Sequence, residues 1–211
     1  MSGLQVFSAG SRPPEQRPGA LADGGASAAF DEELAYLDYV LDDIWDMLAQ
    51  GVRVAFAAAH TPTLATIRRG FPATRTVVLR GVSRSNAMLL IHTDLRSDKV
   101  RELSEQPACS LHIHDGGRRV QLRVEAQAGI HVDDGLADSE WARRQAVSRG
   151  RPATGPEIGG LDAPMVAPSR EHFAVLALHV ARIEWLHLSP KGHRRAGFEI
   201  GERTLARWLP V

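Results

Sequence analysis

The chain has 211 residues, 44% of them hydrophobic, which allows one sizeable core, and no window approaches the roughly 20 apolar residues of a membrane span. Lysine plus arginine equals aspartate plus glutamate at 25 each, so there is no overall cationic excess to hold a nucleic acid and any anion site has to be local. A single cysteine, Cys109, excludes an intrachain disulfide framework and fits a reducing, cytoplasmic setting.

Residues 1–29 are rich in Gly, Ala, Ser and Pro without an apolar period, and read as a disordered tail with no secretory signal pattern. That leaves 30–211 as a single domain. From Asp31 to Gln50, Leu34, Leu37, Leu41, Ile44, Trp45 and Leu48 recur at spacings of three and four, which predicts an amphipathic helix laid on a sheet. Asp31 suits its N-cap, Glu32 and Glu33 suit its dipole, and Gly51 suits its exit. Tyr36 and Trp45 are expected to pack.

Between Thr63 and Ala126 the pattern predicts five short antiparallel strands and one short helix. Strand one, near Thr63–Ile67, turns at Arg69 and Gly70 into strand two, Ala73–Val82. Its period of two puts Thr76, Val78 and Arg80 on one face and Arg75, Val77 and Leu79 on the other. Strand three, Ala87–Thr93, runs into a helix of sequence DLRSDKVRELSEQ, with Asp94 or Ser97 as cap. Arg96, Ser97 and Lys99 then gather beside the helix's free amides, a geometry suited to a phosphomonoester. His112 and His114 share a strand face, but nothing at ligand spacing completes a metal site, so they are expected to line a polar or subunit-facing surface. Cys109 reads as a small hydrophobe.

The runs RTVVLRG, IHTDLRSDK and QLRVEA, followed by a carboxyl end VARIEWLHLSPKGHRRAGFEIGERTLARWLPV, occur in an order that resembles the pyridoxamine 5′-phosphate oxidase family. The resemblance is to a divergent branch, spans about Leu34 to Pro210, and includes a final Arg207, Leu209 and Pro210. It implies a mainly β fold with flanking helices, the FMN-binding split β-barrel, and a homodimer with flavin at the subunit interface. By matching position, Arg75, Val78 and Arg80 lie on the flavin strand. His92, Thr93, Ser97 and Lys99 match the flavin-lining pair and the phosphate-gripping turn, and Gln121 matches the amide facing the pyrimidine edge. Trp185 and Arg195 match residues that reach in from the partner chain.

The chain also departs from the oxidase pattern. Asp98 replaces an arginine of the phosphate turn, with Arg96 able to compensate, and Arg80 replaces a lysine that grips substrate phosphate. Lys191 and His193 stand where the oxidase has a substrate-binding Arg-x-His, and Val147 and Gly155 or Pro156 replace residues of its substrate loop. The expectation is therefore an FMN-dependent oxidoreductase whose small-molecule substrate or electron donor is unassigned, without a nameable acid or base. Two alternatives share the fold: a non-catalytic flavin- or haem-binding protein, and a deazaflavin-dependent reductase.

The remaining segments complete the outline. Asp134–Gly150 predicts a helix with Trp141 against the barrel and Arg143 and Arg144 outward. A Gly- and Pro-rich loop up to Pro168 is expected to face the active site or dimer. Phe173–Leu188 predicts a long strand, and the barrel closes around Phe198 and Leu205–Leu209.

Overall fold

The computed structural model describes the backbone of residues 25–149 and 169–211. The expectations for residues 1–24 and for the loop at 150–168 fall outside the described residues. Helix α1 spans Gly25–Arg53 and so begins six residues before Asp31. Residues 25–29 belong to it rather than to a tail, since their alanines favour the helical state, and Asp31 is an interior position rather than the cap. Gly51 is also interior. A Cβ there would come within 2.6 Å of the Ala59 carbonyl, so glycine serves the close packing of the turn Ala58–His60 against the helix.

Among the described residues nine antiparallel strands follow: β1 Thr63–Arg68, β2 Phe71–Thr76, β3 Leu79–Ser83, β4 Met88–Asp94, β5 Ala108–Asp115, β6 Val120–His131, β7 Phe173–His187, β8 Arg194–Glu199 and β9 Leu205–Leu209. Helix α2, Asp98–Glu105, joins β4 to β5, and α3, Gly135–Arg149, follows β6. The β1–β2 hairpin closes on Arg69 (φ 52°) and Gly70 (φ 81°), the two positive-φ residues that a type I′ turn needs.

The expected single strand Ala73–Val82 is two strands. β2 pairs with β1, β3 pairs with β4, and Val77 and Val78 connect them. An unbroken β-branched run reads locally as one strand, but the two halves find different partners. This break shapes the whole fold. In the order β2-β1-β5-β6-β7-β4-β3 the two linked strands lie at opposite ends of the path. Two residues span only about 7–10 Å, so the sheet has to curl until its edges nearly meet.

The long strand β7 then splits the barrel. One edge pairs with β6 along its length, while the other pairs first with β4 (Phe173–His179) and then with β8 (Arg182–His187). The first half is buried on both faces, because Leu176 and Leu178 face the main core while Phe173, Val175 and Ala177 meet Leu90, Ala137 and Trp141 under α3. The second half alternates, with Ile183 and Trp185 facing the core and Arg182, Glu184 and Leu186 on the outer face. α1 covers the core with Leu37, Val40, Leu41, Ile44, Trp45, Met47 and Leu48, all buried.

Candidate functional site

The site is built where β4 hands over to α2. Thr93, next to last in β4, lies on the face opposite its neighbour His92, and its Oγ1 lies 3.2 Å from Ser97 Oγ and accepts a 2.9 Å hydrogen bond from Lys99 Nζ. Ser97 stands at the N-cap of α2 with no side-chain capping bond, so its hydroxyl stays with Thr93. Burial, and then the charge of Arg75, lower the Lys99 pKa below that of an ordinary lysine.

Arg75 enters from β2. It is registered opposite Leu64, so its side chain shares the inner face with Leu64 and Thr66. A guanidinium there needs a counter-ion, and α2 supplies Glu102, whose side chain is 2% exposed. Arg75 Nη2 donates to Glu102 Oε2 at 2.7 Å, Thr66 Oγ1 donates to the same oxygen at 2.5 Å, and Arg75 Nη1 donates to Thr66. Burial opposes the charge on Glu102, but the hydrogen bonds of Thr66 and Arg75 outweigh it and hold the carboxyl below its ordinary range. Arg68, Pro72, Ala73, Thr74, Arg75, Asp98 and Lys99 line an open cleft of about 450 Å³ beside this cluster. Arg68, Arg75 and Lys99 thus bring cations to this space and Asp98 an acid, while the Thr93 and Ser97 hydroxyls adjoin it through the bond of Lys99 to Thr93; cations so placed suit a phosphate.

Arg96, expected to compensate for Asp98, points elsewhere. Its side chain grips Asp94 through both carboxylate oxygens at 2.9 and 2.7 Å, which holds Asp94 well below the usual carboxylate range. His92 also lies apart. It turns under α3, where its side chain is 8% exposed and its Nε2 lies 2.7 Å from Glu140 Oε2, with Phe173 edge-on at 5.0 Å. Burial lowers its pKa despite Glu140, and Arg143 and Arg80 add to the lowering.

The residues expected at the ring end are dispersed. Val78 sits half-buried in the β2–β3 connection, and Arg80 on β3 is exposed, its carbonyl accepting from Arg143 Nη2 at 2.7 Å. Gln121, paired with His114 and Leu186, faces outward, away from the side that carries Arg75. Trp185 is 6% exposed and faces the core, and its Nε1 is buried without a hydrogen-bond partner. Arg195 lies on the opposite, outer face, where Nη2 meets Glu184 at 2.7 Å and Nη1 meets the Pro210 carbonyl at 3.3 Å. Lys191 and His193 are exposed in the β7–β8 turn, and His193 Nδ1 accepts from the Ser189 amide at 3.2 Å. His112 and His114 are exposed on the outer face, and among the described residues no group of three His, Cys, Asp or Glu could hold a metal. Cys109 is half-buried, and burial pushes its thiol up to about 11.

Sequence reading missed Thr66 and Glu102. The signal was present: Thr66 holds the same parity as Leu64 on β1, so a hydroxyl and Arg75 fall together on a core-facing side. Such a pair requires a buried acceptor, and Glu102 beside the buried Leu103 is within reach on the neighbouring helix.

Residues 44–132 match the family model of the pyridoxamine 5′-phosphate oxidase FMN-binding domain. Over this stretch the chain is similar to that family, and its likeness to solved members is at low sequence identity. The matched stretch contains the whole cleft and ends before β7, so Trp185, Lys191, His193 and Arg195 lie beyond it. Among solved structures, an FMN-binding protein from Nostoc punctiforme related to pyridoxamine 5′-phosphate oxidase is 20% identical, with 81% of this chain and 96% of that one covered and a TM-score of 0.61. PhzG from Burkholderia lata, solved in complex with tetrahydrophenazine-1-carboxylic acid, is 19% identical, with 82% and 91% covered and a TM-score of 0.58. These likenesses establish the split-barrel fold. No curated protein matches the chain.

Proposed function

We propose that the chain is a homodimeric, FMN-dependent oxidoreductase whose flavin phosphate is held in the α2 cleft. The observation that carries this reading is that Arg75 and Lys99 line one open cleft within the family-matched stretch, with Thr93 and Ser97 bonded in line behind Lys99. Arg75 and Lys99 neutralise the phosphate, and the Thr93 and Ser97 hydroxyls orient it. Bound FMN supplies hydride or electron exchange at its central ring. In the same reading, the outer face bearing Gln121 and Arg195 meets a second copy of the chain, bringing those residues to the flavin of the partner. Arg96, His92 and Trp185 are left out of the proposed cofactor contacts, because Asp94, Glu140 and the core respectively engage them.

The test is an absorption spectrum of the purified protein after incubation with FMN and desalting, combined with size-exclusion chromatography and a screen of electron donors. Flavin bands near ~370 and ~450 nm that survive desalting, on a dimer that reoxidises after donor reduction, are the expected result. Stable bands without turnover would assign a binding protein. Failure to retain flavin would overturn the proposal.

A further inference from the structure

Behind the cleft lies a buried carboxylate bonded to one of its lining cations. Glu102 is almost fully buried, and its two hydrogen bonds converge on Oε2, from Arg75 and Thr66. Its Oε1 is buried without a hydrogen-bond partner, with Arg68 Nε 3.9 Å away. For stability alone this arrangement is poor, since a well-packed apolar side chain avoids the desolvation of a carboxylate. What the carboxylate adds is direction. Arg75 stands on the inner face of an edge strand, and its long side chain would otherwise turn its head toward water. Glu102 and Thr66 hold two of the five guanidinium N–H groups, leaving the others to face the cleft beside Lys99.

We propose that Glu102 is the positioning residue of the anion cleft, fixing the Arg75 guanidinium through a hydrogen bond so that it and Lys99 act on one phosphate. The inference rests on the cleft reading above. Its electrostatic sign is opposite to its geometric one: deleting an acid next to an anion site should tighten anion binding by charge alone, whereas deleting an anchor should weaken it. Thr66 belongs to the same anchor.

The experiment is isothermal titration of the full-length wild type, Glu102→Ala, Glu102→Gln and Thr66→Val with FMN and with inorganic phosphate, alongside thermal unfolding. Glu102→Ala is expected to weaken both ligands about tenfold or more, and Thr66→Val several-fold. Glu102→Gln keeps the accepting oxygen, so it is expected to bind within about threefold of wild type or tighter. A folded Glu102→Ala that binds as tightly as wild type would overturn the proposal, and so would Glu102→Gln binding as weakly as Glu102→Ala. Should Glu102→Ala fail to fold, Thr66→Val decides, and unchanged affinity there overturns it. Absence of binding by the wild type would instead sink the cleft reading itself.

Discussion

Two carboxylates in this protein gather arginines, and they do so to opposite ends. Glu184, on the outer face of β7, meets Arg182 and Arg195 at 2.7 Å each, with Arg123 at 3.7 Å. Those cations are already shared, since Arg182 also reaches Glu125 and Glu199 at 3.1 Å and Arg195 reaches the Pro210 carbonyl. Glu102 meets Arg75 in the interior, and the neighbouring Lys99 donates to a neutral hydroxyl in a cleft open to solvent. A count of arginines favours the first cluster as an anion site. Unspent donors beside an open space favour the second.

The largest expected effect comes from Arg75→Ala. It leaves Glu102 buried without its cation, and a loss of about 3 kcal/mol in unfolding free energy is expected by denaturant titration. FMN affinity is expected to fall with it, because the same change removes a charge-assisted contact. An unchanged stability would mean that Glu102 protonates or finds another partner, and the contrast between the two carboxylates would collapse.

Lys99→Ala separates binding from folding. The Lys99 ammonium donates to the neutral Thr93 hydroxyl, so stability should change little, while FMN binding should weaken by about 1.5–3 kcal/mol in a fluorescence titration. Equal losses in both quantities would place Lys99 in the framework instead.

The pH dependence sharpens the comparison next. Burial and Arg75 depress the Lys99 pKa, so its charge is lost on the acid side of an ordinary lysine titration and FMN affinity should decline as pH rises through that window. The sign for apo stability is reversed: between the lowered and the ordinary pKa the unfolded chain binds more protons, so stability rises with pH there. His92 acts by the same rule at acid pH, where stability is lost as pH falls below the ordinary histidine value toward the lowered one. Affinity and melting curves recorded across both windows check these signs, and a Lys99→Ala profile should be flat in the alkaline one.

The smallest effect is expected on the other cluster. Arg195→Ala leaves Glu184 paired with Arg182, so stability should move by less than about 1 kcal/mol. If the outer face meets a second subunit as proposed, the same variant should still lower flavin retention in the dimer. No change in retention would remove Arg195 from the site.

Much of this was legible in the residues themselves. Spacing alone located α1's core face, the Arg69–Gly70 turn, the long β7 and α2, whose cap it left between Asp94 and Ser97 and which Ser97 takes. Runs of β-branched residues report strand character but not strand partners, which is why β2 and β3 read as one. Candidate residues adjacent in sequence were separated for the same local reason. His92 and Thr93 are neighbours on a strand, so alternation sends one under α3 and the other to the cleft.

The sequence by itself determined which segments are helical, which are strands, and that a local cluster of hydroxyls and cations follows β4, because periodicity, turns and caps act over a few residues. The tertiary structure decided which cations remain available. Arg96 is taken by Asp94 and Arg195 by Glu184, while Arg75 is turned inward by Glu102, 27 positions away in the chain. Arg96 finds its counter-ion two residues away, but that of Arg75 is settled by packing of the β1–β2 hairpin against α2, a longer-range contact that no local pattern encodes.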